Sequence, residues 1–593
     1  MNTAPRPVVA TTVTMCLAGV AVMAVLLGHG FHEPPLPFWA LRALALLSFG
    51  ASLAVVRLNP SRPQGEKGVR NLLYEAPFGP LRQKVSDTFF ALSGSAGILG
   101  ATDLVPGAWV LFEMSLVLLL VGAWSKLNLA LSRSVTACVL LVPFNFLLLI
   151  AAGTLVLKTP EALRIVTENP LALRDPIGGK MKWLDALFTM TSAVCLTGLT
   201  VRDIAQFSGF GQTAIVLFIQ VGGLAAAVAG SVLIVLRVPA APDGDSRGPR
   251  SRFDSGHARR ITSLVAFVVT VTLVCEFVGA LAMMPLWPRA MAWSDRMVAS
   301  LFHSISAFCN SGFALPVDSL QSHRHSMLSH LVVAPLVLVG GLGFPVLREL
   351  WRAVPPRGLR RVTGAPLSTH SRVVLAMTFA LYLCGTAAFA VPHLMSTAAN
   401  QPVSAALSWQ RIGGAIADGS FMSLSARSGG FTTVPTDGLE PAAEVVLMTQ
   451  MIVGASPGGT GGGMKTTVVA LLLIAAARLL ARRRGDFPVL IPASLLLGAC
   501  AVALFFGALI AVATTLLCVS ESIPLRRVLF ESVSAAGASG LSSGITAQLT
   551  RFGKVVIIAT MFLGRVVPLM IAFVVVCGGR RGEMGGDQEV LIG

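Results

Sequence analysis

Four short segments of this 593-residue chain repeat one another: LFTMTSAVCLTGLT from Leu187, LFHSISAFCNSGFA from Leu301, SFMSLSARSGGFTT from Ser420 and LFESVSAAGASGLS from Leu529. Each carries an aromatic residue, a Ser-Ala pair and then a glycine followed by Leu or Phe. The glycines Gly198, Gly312, Gly430 and Gly540 recur at intervals of about 110–118 residues. Self-similarity at a fixed period marks a structural unit repeated along the chain. The third segment is one residue shorter between its phenylalanine and its glycine, and Gly429 beside Gly430 leaves its register open.

Apolar stretches of membrane-spanning length flank every segment: about 135–157 and 212–236, 261–286 and 329–347, 373–396 and 441–480, 489–518 and 553–577. The composition agrees, with 54% hydrophobic and 12% charged residues, against about 25% charge in a soluble domain. Long apolar runs rather than short alternating ones exclude a β-barrel. The expected fold is therefore an all-α polytopic membrane protein of four helix–pore loop–helix repeats around a central pore. The short segments hold about ten residues before the glycine, too few to cross a bilayer at about 1.5 Å per residue. They must enter and return on one side. Non-helical backbone at that depth is tolerated where it lines an aqueous cavity. Glycine enters the dihedral regions that turn successive carbonyls the same way, and inward carbonyls can replace a cation's hydration shell.

The net charge of +17 does not point to nucleic acid. Arginines cluster in short loops between spans: Arg247, Arg250, Arg252, Arg259 and Arg260, then Arg348, Arg352, Arg357, Arg360 and Arg361, then Arg482 to Arg484. That is the pattern of cytoplasmic loops in a membrane protein, which also meet anionic lipid head groups. The nine cysteines lack paired spacing, so no disulfide framework or metal site is expected. His323 and His325 read as part of a solvated loop. Glu276 stands inside a span, as a functional group or a hydrogen-bonded helix contact. Asp185 reads as an N-terminal stabiliser of the first pore helix.

PGGTGGGMKTT at 457–467 resembles a phosphate-binding loop only superficially, since Met464 separates Gly463 from Lys465, whereas a P-loop needs lysine and hydroxyl directly after the last glycine. It lies between apolar flanks and breaks a hydrophobic helix.

The motifs TSAVCLTGLTVRD, FHSISAFCNSGF, SARSGGFTT, FESVSAAGASGLSSGIT, MIVGASPGGTGGGMKTT and MFLGRVVPL together resemble the Trk/Ktr/HKT superfamily of potassium transporters, in particular its TrkH/KtrB-type pore-forming subunits. The resemblance runs from about Val135 to the C-terminus. It implies a selectivity filter formed by Cys195, Leu196, Thr197 and Gly198, by Cys309, Asn310, Ser311 and Gly312, by Ser428, Gly429 and Gly430, and by Ala538, Ser539 and Gly540. Potassium would sit at the carbonyls of Thr197, Gly198, Ser311, Gly312, Gly429, Gly430, Ser539 and Gly540. Four glycines go with potassium in the superfamily, and serine at the first position goes with sodium-preferring members. Cys195, Cys309, Ser428 and Ser539 depart from its commoner residues. The resemblance also implies that Gly458, Gly459, Thr460, Gly461, Gly462 and Gly463 form a gating loop beneath the filter. Lys465 adds a positive barrier, and Arg565 contacts and holds the loop.

The domain plan and partners follow. Ahead of the resemblance, apolar stretches and basic loops predict an accessory region of about four transmembrane helices over residues 1–134. Residues 135–240, 261–350, 373–482 and 487–578 form the repeats, and 579–593 a cytoplasmic tail. The first span, from about Val8, reads as retained rather than cleaved. The longest polar gaps are too short for a nucleotide-binding domain. The resemblance supplies that domain from a cytosolic RCK-type partner of the TrkA/KtrA kind, and implies a homodimer of pores in the bacterial inner membrane. The expected function is potassium uptake, with no enzymatic activity and no cofactor in this chain. Sodium as a permeant, activating or coupled ion is the alternative within the superfamily, and the channel-like subunit of an ATP-driven potassium pump the alternative outside it.

Overall fold

The computed structural model describes residues 135–159, 162–163, 181–237, 255–324, 326–353, 367–399, 409–480 and 492–578. The predicted accessory region, the tail, His325 and most of the arginine loops lie outside the described residues. The described residues fall into two compact units. The smaller comprises 135–141, 158–159, 162–163 and 255–262, helical at 135–141 and 255–262. The larger carries the four repeated segments.

Element order follows the repeats. In the first, α1 (Val135–Leu157), α2 (Trp183–Val194) and α3 (Gly209–Arg237) follow one another. The second has α4 (Ser255–Met283), α5 (Trp293–Phe308), α6 (Ala334–Leu342) and α7 (Phe344–Ala353). The third has α8 (Thr369–Ala399), α9 (Trp409–Leu424), α10 (Pro441–Ile452) and α11 (Thr466–Leu480). The fourth has α12 (Ala493–Ser520), α13 (Leu525–Gly537) and α14 (Arg551–Gly578). Among the described residues, six helices contain stretches long and apolar enough to cross a bilayer: those within α1, α3, α4, α8, α12 and α14. Their outer faces remain apolar: Leu497 and Leu504 on α12 are 69% and 75% exposed. Such a face is costly in water and suited to lipid.

The short helices α2, α5, α9 and α13 are shorter than a span and lie inside the ring of longer ones. From Asp185 to Val194, α2 is buried except at Leu187. Neighbours in the chain's repeat order are neighbours in space: α3 packs on α5, α6 on α9, α10 on α13, and α14 on α2. This closes the circle of repeats. Phe188, Val528, Ala535, Ile557 and Met561 share one core between the first and fourth repeats, and Met422, Leu447, Met451, Phe530 and Val533 share another between the third and fourth. Between membrane helices such cores stabilise through close van der Waals packing rather than through removal from water.

One expected span is not continuous. The stretch at 329–347 bends by 104° between Ser329–Leu342 and Phe344–Ala353, at Gly343 with φ +93°. The sequence GGLGFP at 340–345 explains this. Three glycines weaken the helix, and Pro345 resists its continuation. A second break separates α10 from α11, where residues 453–465 leave the helix.

The two breaks satisfy each other's backbone. Ser456 N–H donates to Gly341 O at 2.9 Å, Thr460 N–H to Gly340 O at 3.0 Å, and Phe344 N–H to Gly458 O at 3.0 Å. Buried backbone groups left unpaired would each cost several kcal/mol in a membrane interior, so the two glycine-rich segments depend on one another. A Cβ on Gly340 would collide with the Phe308 carbonyl. Gly340→Ala is therefore expected to destabilise the fold by about 1–3 kcal/mol. Thermal unfolding in detergent measures it against Gly209→Ala, where nothing lies within 4 Å of the new methyl. Equal midpoints for the two variants would contradict this account.

Candidate functional site

Each pore helix ends at its repeated Ser-Ala pair for a local reason. Thr197 N–H donates to Ser192 O at 2.8 Å, Ser311 N–H to Ser306 O at 2.9 Å, and Ser539 N–H to Ser534 O at 3.0 Å. This six-to-one bond terminates a helix through a left-handed residue. The left-handed residues are Leu196 (φ +59°), Asn310 (φ +56°) and Ala538 (φ +48°). The chain then turns again at Gly198 (φ +91°), Gly312 (φ +73°) and Gly540 (φ +86°). The third repeat does this with one residue fewer. A π-turn at Ser425–Gly429 follows α9, Gly430 N–H donates to Ser425 O at 3.1 Å, and Gly430 itself has φ +74°. The capping residue and the repeat glycine are one residue there, which resolves the open register in favour of Gly430.

The four glycines meet. A Cβ built on Gly198 would strike Ser311 O and lie 3.3 Å from the Gly312 Cα. One on Gly312 would lie 2.7 Å from the Gly430 Cα and 3.1 Å from Gly429 O. One on Gly430 would lie 2.8 Å from Ser539 O, and one on Gly540 would strike Thr197 O. Each glycine thus faces the carbonyl preceding the next repeat's glycine, and the sequence closes from the fourth repeat to the first. The pore helices aim their partially negative C-terminal ends at this ring, which favours a cation there.

Behind the ring, serines of the first three Ser-Ala pairs tie their loops to their own helices, whereas the Ser534 hydroxyl of the fourth has no hydrogen-bond partner. Gly198 N–H donates to Ser192 Oγ at 3.0 Å, Ser306 Oγ donates to Phe313 O at 2.7 Å, and Ser425 Oγ to Phe431 O at 2.5 Å. Cys195 and Cys309 are buried and free. Cys309 Sγ lies 3.7 Å from Glu276 Oε1 and 3.6 Å from Gln220 Oε1. The intramembrane Glu276 therefore meets the second loop from behind.

Two supports escape the sequence pattern. His303 Nε2 accepts Leu315 N–H at 3.2 Å. Glu531, at the corresponding place in the fourth pore helix, accepts Ser543 N–H at 3.4 Å and the hydroxyls of Ser542 and Thr546. Both fix the chain three residues beyond the repeat glycine. Thr189 and Met422 hold that place in the other two repeats, so repeat comparison does not single it out. Glu531→Gln keeps the size but replaces one accepting oxygen by a donor facing donors. It is expected to lower cation flux about three- to tenfold, with a lowered melting temperature, from the loss of charge-assisted hydrogen bonds. Unchanged rubidium uptake would count against this support.

The glycine-rich segment forms a closed loop beneath the ring. A bridge joins Val453 and Met464, with Ala455 N–H donating to Gly462 O at 3.1 Å. Residues 453–463 are all buried. Lys465 Nζ donates to Gly461 O at 2.7 Å. Arg565, 4% exposed and in the middle of α14, donates Nη2 to Thr460 O at 2.5 Å. Gly230, Gly458, Gly463, Lys465, Arg565 and Pro568 line one cavity. Arg427, passed over in the sequence, is buried in the third loop and donates Nη2 to Gly454 O at 3.2 Å. Its signal was available, since Val194, Phe308 and Ala536 stand at that place in the other segments.

One reading gains partners and one needs correction. Asp185 stands in the first turn of α2, where a carboxylate suits the helix dipole, and it pairs with Lys554 at 2.8 Å and Arg202 at 3.8 Å. His323 is half-buried rather than solvated, with Nε2 3.1 Å from Leu286 O and its ring edge-on to Trp287 at 5.6 Å. Among the described residues no cluster of metal-ligating side chains occurs.

Four re-entrant helices whose glycines close a ring, inside a circle of membrane spans, define a pore-type transport protein. The sequence matches the TrkH family, described as cation transport protein, over residues 178–578. It is 32% identical to the Ktr system potassium uptake protein B of Vibrio alginolyticus over 402 residues, 66% of this chain and 83% of that one. The B protein of the Bacillus subtilis Ktr system is 30% identical over 442 residues, 72% of this chain and 91% of its own. The potassium/sodium uptake protein NtpJ of Enterococcus hirae is 29% identical over 426 residues, 70% and 91% of the two chains. The crystal structure of the potassium transporter TrkH from Vibrio parahaemolyticus shares the fold, with a TM-score of 0.56 at 18% identity, covering 86% of this chain and 98% of that one. The chain belongs to the TrkH family of cation transport proteins. It is a multi-pass membrane transporter and not an enzyme.

Proposed function

We propose that this chain takes up potassium through a filter made by the four repeat loops, with the loop at Gly458–Gly463 as its gate. The observation that carries the reading is the closed ring of Gly198, Gly312, Gly430 and Gly540. Its backbone carbonyls, those of Thr197, Ser311, Gly429 and Ser539 among them, are the ligands for a dehydrated cation, supplied without any side-chain carboxylate. In the gate, Arg565 and Lys465 are two buried cations bonded to the loop, which oppose ion passage until the loop moves. Conduction runs down the electrochemical gradient.

A cytosolic RCK-type subunit regulates the gate and two copies of the chain pair in the membrane, as the motif resemblance implies; the word system in the names of two Ktr relatives supports a further component, and nothing more. The name of NtpJ supports sodium as a second permeant or coupled ion. The family match favours uptake by this chain over the role of a pump's channel-like subunit.

Growth of a potassium-uptake-deficient bacterium at limiting potassium tests the reading. Expression of the chain restores growth and rubidium uptake if the assignment holds. Restored sodium uptake without rubidium uptake would overturn the potassium assignment.

A further inference from the structure

The gate loop is bonded to the filter itself, through one threonine and one asparagine. Thr460 Oγ1 lies 3.0 Å from Phe308 O and 3.2 Å from Gly340 O. It also accepts Asn310 Nδ2–H at 2.9 Å. The Asn310 side-chain oxygen in turn accepts Ser428 Oγ–H at 3.2 Å. A single hydrogen-bonded chain therefore runs from Arg565 through the Thr460 carbonyl and hydroxyl to Asn310 in the second loop and Ser428 in the third.

Arg565, Thr460, Asn310 and Ser428 are each 4% exposed or less, so water does not substitute for a lost partner, and a buried amide left unpaired is penalised. Asn310 is also the left-handed residue that sets the second loop's turn, at φ +56°. It immediately precedes Ser311, whose carbonyl faces Gly198 across the ring. Asn310 stands in for Leu196 and Ala538 of the first and fourth repeats, neither of which carries a side-chain donor.

We propose that Asn310 and Thr460 are a positioning pair that couples the gate to the second filter loop, so that displacing the loop around Gly461 also changes the geometry at Ser311. This rests on the filter and gate assignments above. Ion discrimination then depends on gate state. The closed loop holds Asn310 in its left-handed conformation, and the open loop releases it. Coupling of this kind is reciprocal: potassium in the filter must bias the gate by the same factor.

The test is rubidium and sodium flux through the purified full chain in liposomes, for Thr460→Val, Asn310→Ala, their double variant and Thr460→Ser, with Arg565→Gln alongside. Thr460→Val keeps the shape and removes the hydroxyl. It is expected to raise rubidium flux about three- to tenfold, the range set by loss of one to two buried hydrogen bonds, and to lower the rubidium-to-sodium ratio. Thr460→Ser recovers most of the closure. Because the two residues act through one bond, the double variant is expected to match the stronger single variant rather than their product.

Multiplicative effects of the two single variants would overturn the coupling, as would a flux increase in Thr460→Val with the ion ratio unmoved. If Arg565→Gln opens the pore and Thr460→Val does not, the pair is refuted and the gate stands. If neither opens it, the gate assignment falls and takes the coupling with it. Asn310→Ala that fails to assemble leaves the Val and Ser variants to decide the outcome by themselves.

Discussion

Gly198→Ser is expected to abolish the preference for potassium over sodium, lowering the rubidium-to-sodium flux ratio by tenfold or more. Two physical effects act at that position. The backbone has φ +91°, where a side-chain-bearing residue pays about 1–3 kcal/mol. A Cβ would also strike the Ser311 carbonyl oxygen, with the Gly540 Cα only 3.1 Å away on the other side. Each neighbour is itself backbone facing a further glycine, so no flexible side chain is available to yield. The ring must distort, and about 1.4 kcal/mol of lost discrimination between two ions is already a factor of ten. Gly438→Ser is the matched comparison: φ is +85°, yet nothing lies within 4 Å. It carries the strain without the collision and is expected to leave the flux ratio intact. Equal effects of the two substitutions would show that strain, not ring geometry, governs selectivity.

Arg565→Gln is expected to raise resting potassium flux tenfold or more. The guanidinium bonds the Thr460 carbonyl at 2.5 Å from within α14 and lies against Gly462, where a Cβ would come within 3.3 Å of Nη1. A hydrogen bond to a charged group contributes about 1.5–3 kcal/mol, enough to shift a closed-to-open equilibrium by one to two orders of magnitude. The substitution also removes one of the two buried positive charges lining the cavity beneath the ring. Loss of the anchor and loss of the barrier act in the same direction. Resting flux that stays level or falls would mean that Arg565 organises the open pore rather than holding the closed one.

The sequence carries the repeat because helix termination is local. A Ser-Ala pair followed by glycine encodes the cap and the turn within ten residues, and four copies make the pattern legible. The break at 457–465 is legible for the same reason, since consecutive glycines interrupt an apolar helix. What joins the copies is not local. The bend at Gly343 was signalled by GGLGFP, but an apolar stretch of spanning length reads first as an uninterrupted helix. The insertion of Thr460 between Gly340 and Phe308 unites residues more than a hundred positions apart. No spacing rule reveals it. His303 and Glu531 perform one task with different chemistry, which similarity between repeats conceals. The third repeat's register needed the structure because a π-turn replaces a left-handed residue there.

The central claim is that four loops of one chain form a potassium-selective pore. Ion flux into liposomes containing only this purified protein tests it most directly, with potassium, rubidium and sodium gradients applied in turn. Potassium and rubidium flux exceeding sodium flux, in wild type or in the opened Arg565→Gln variant, is the predicted result. Sodium flux equal to or above potassium flux in both proteins would contradict it.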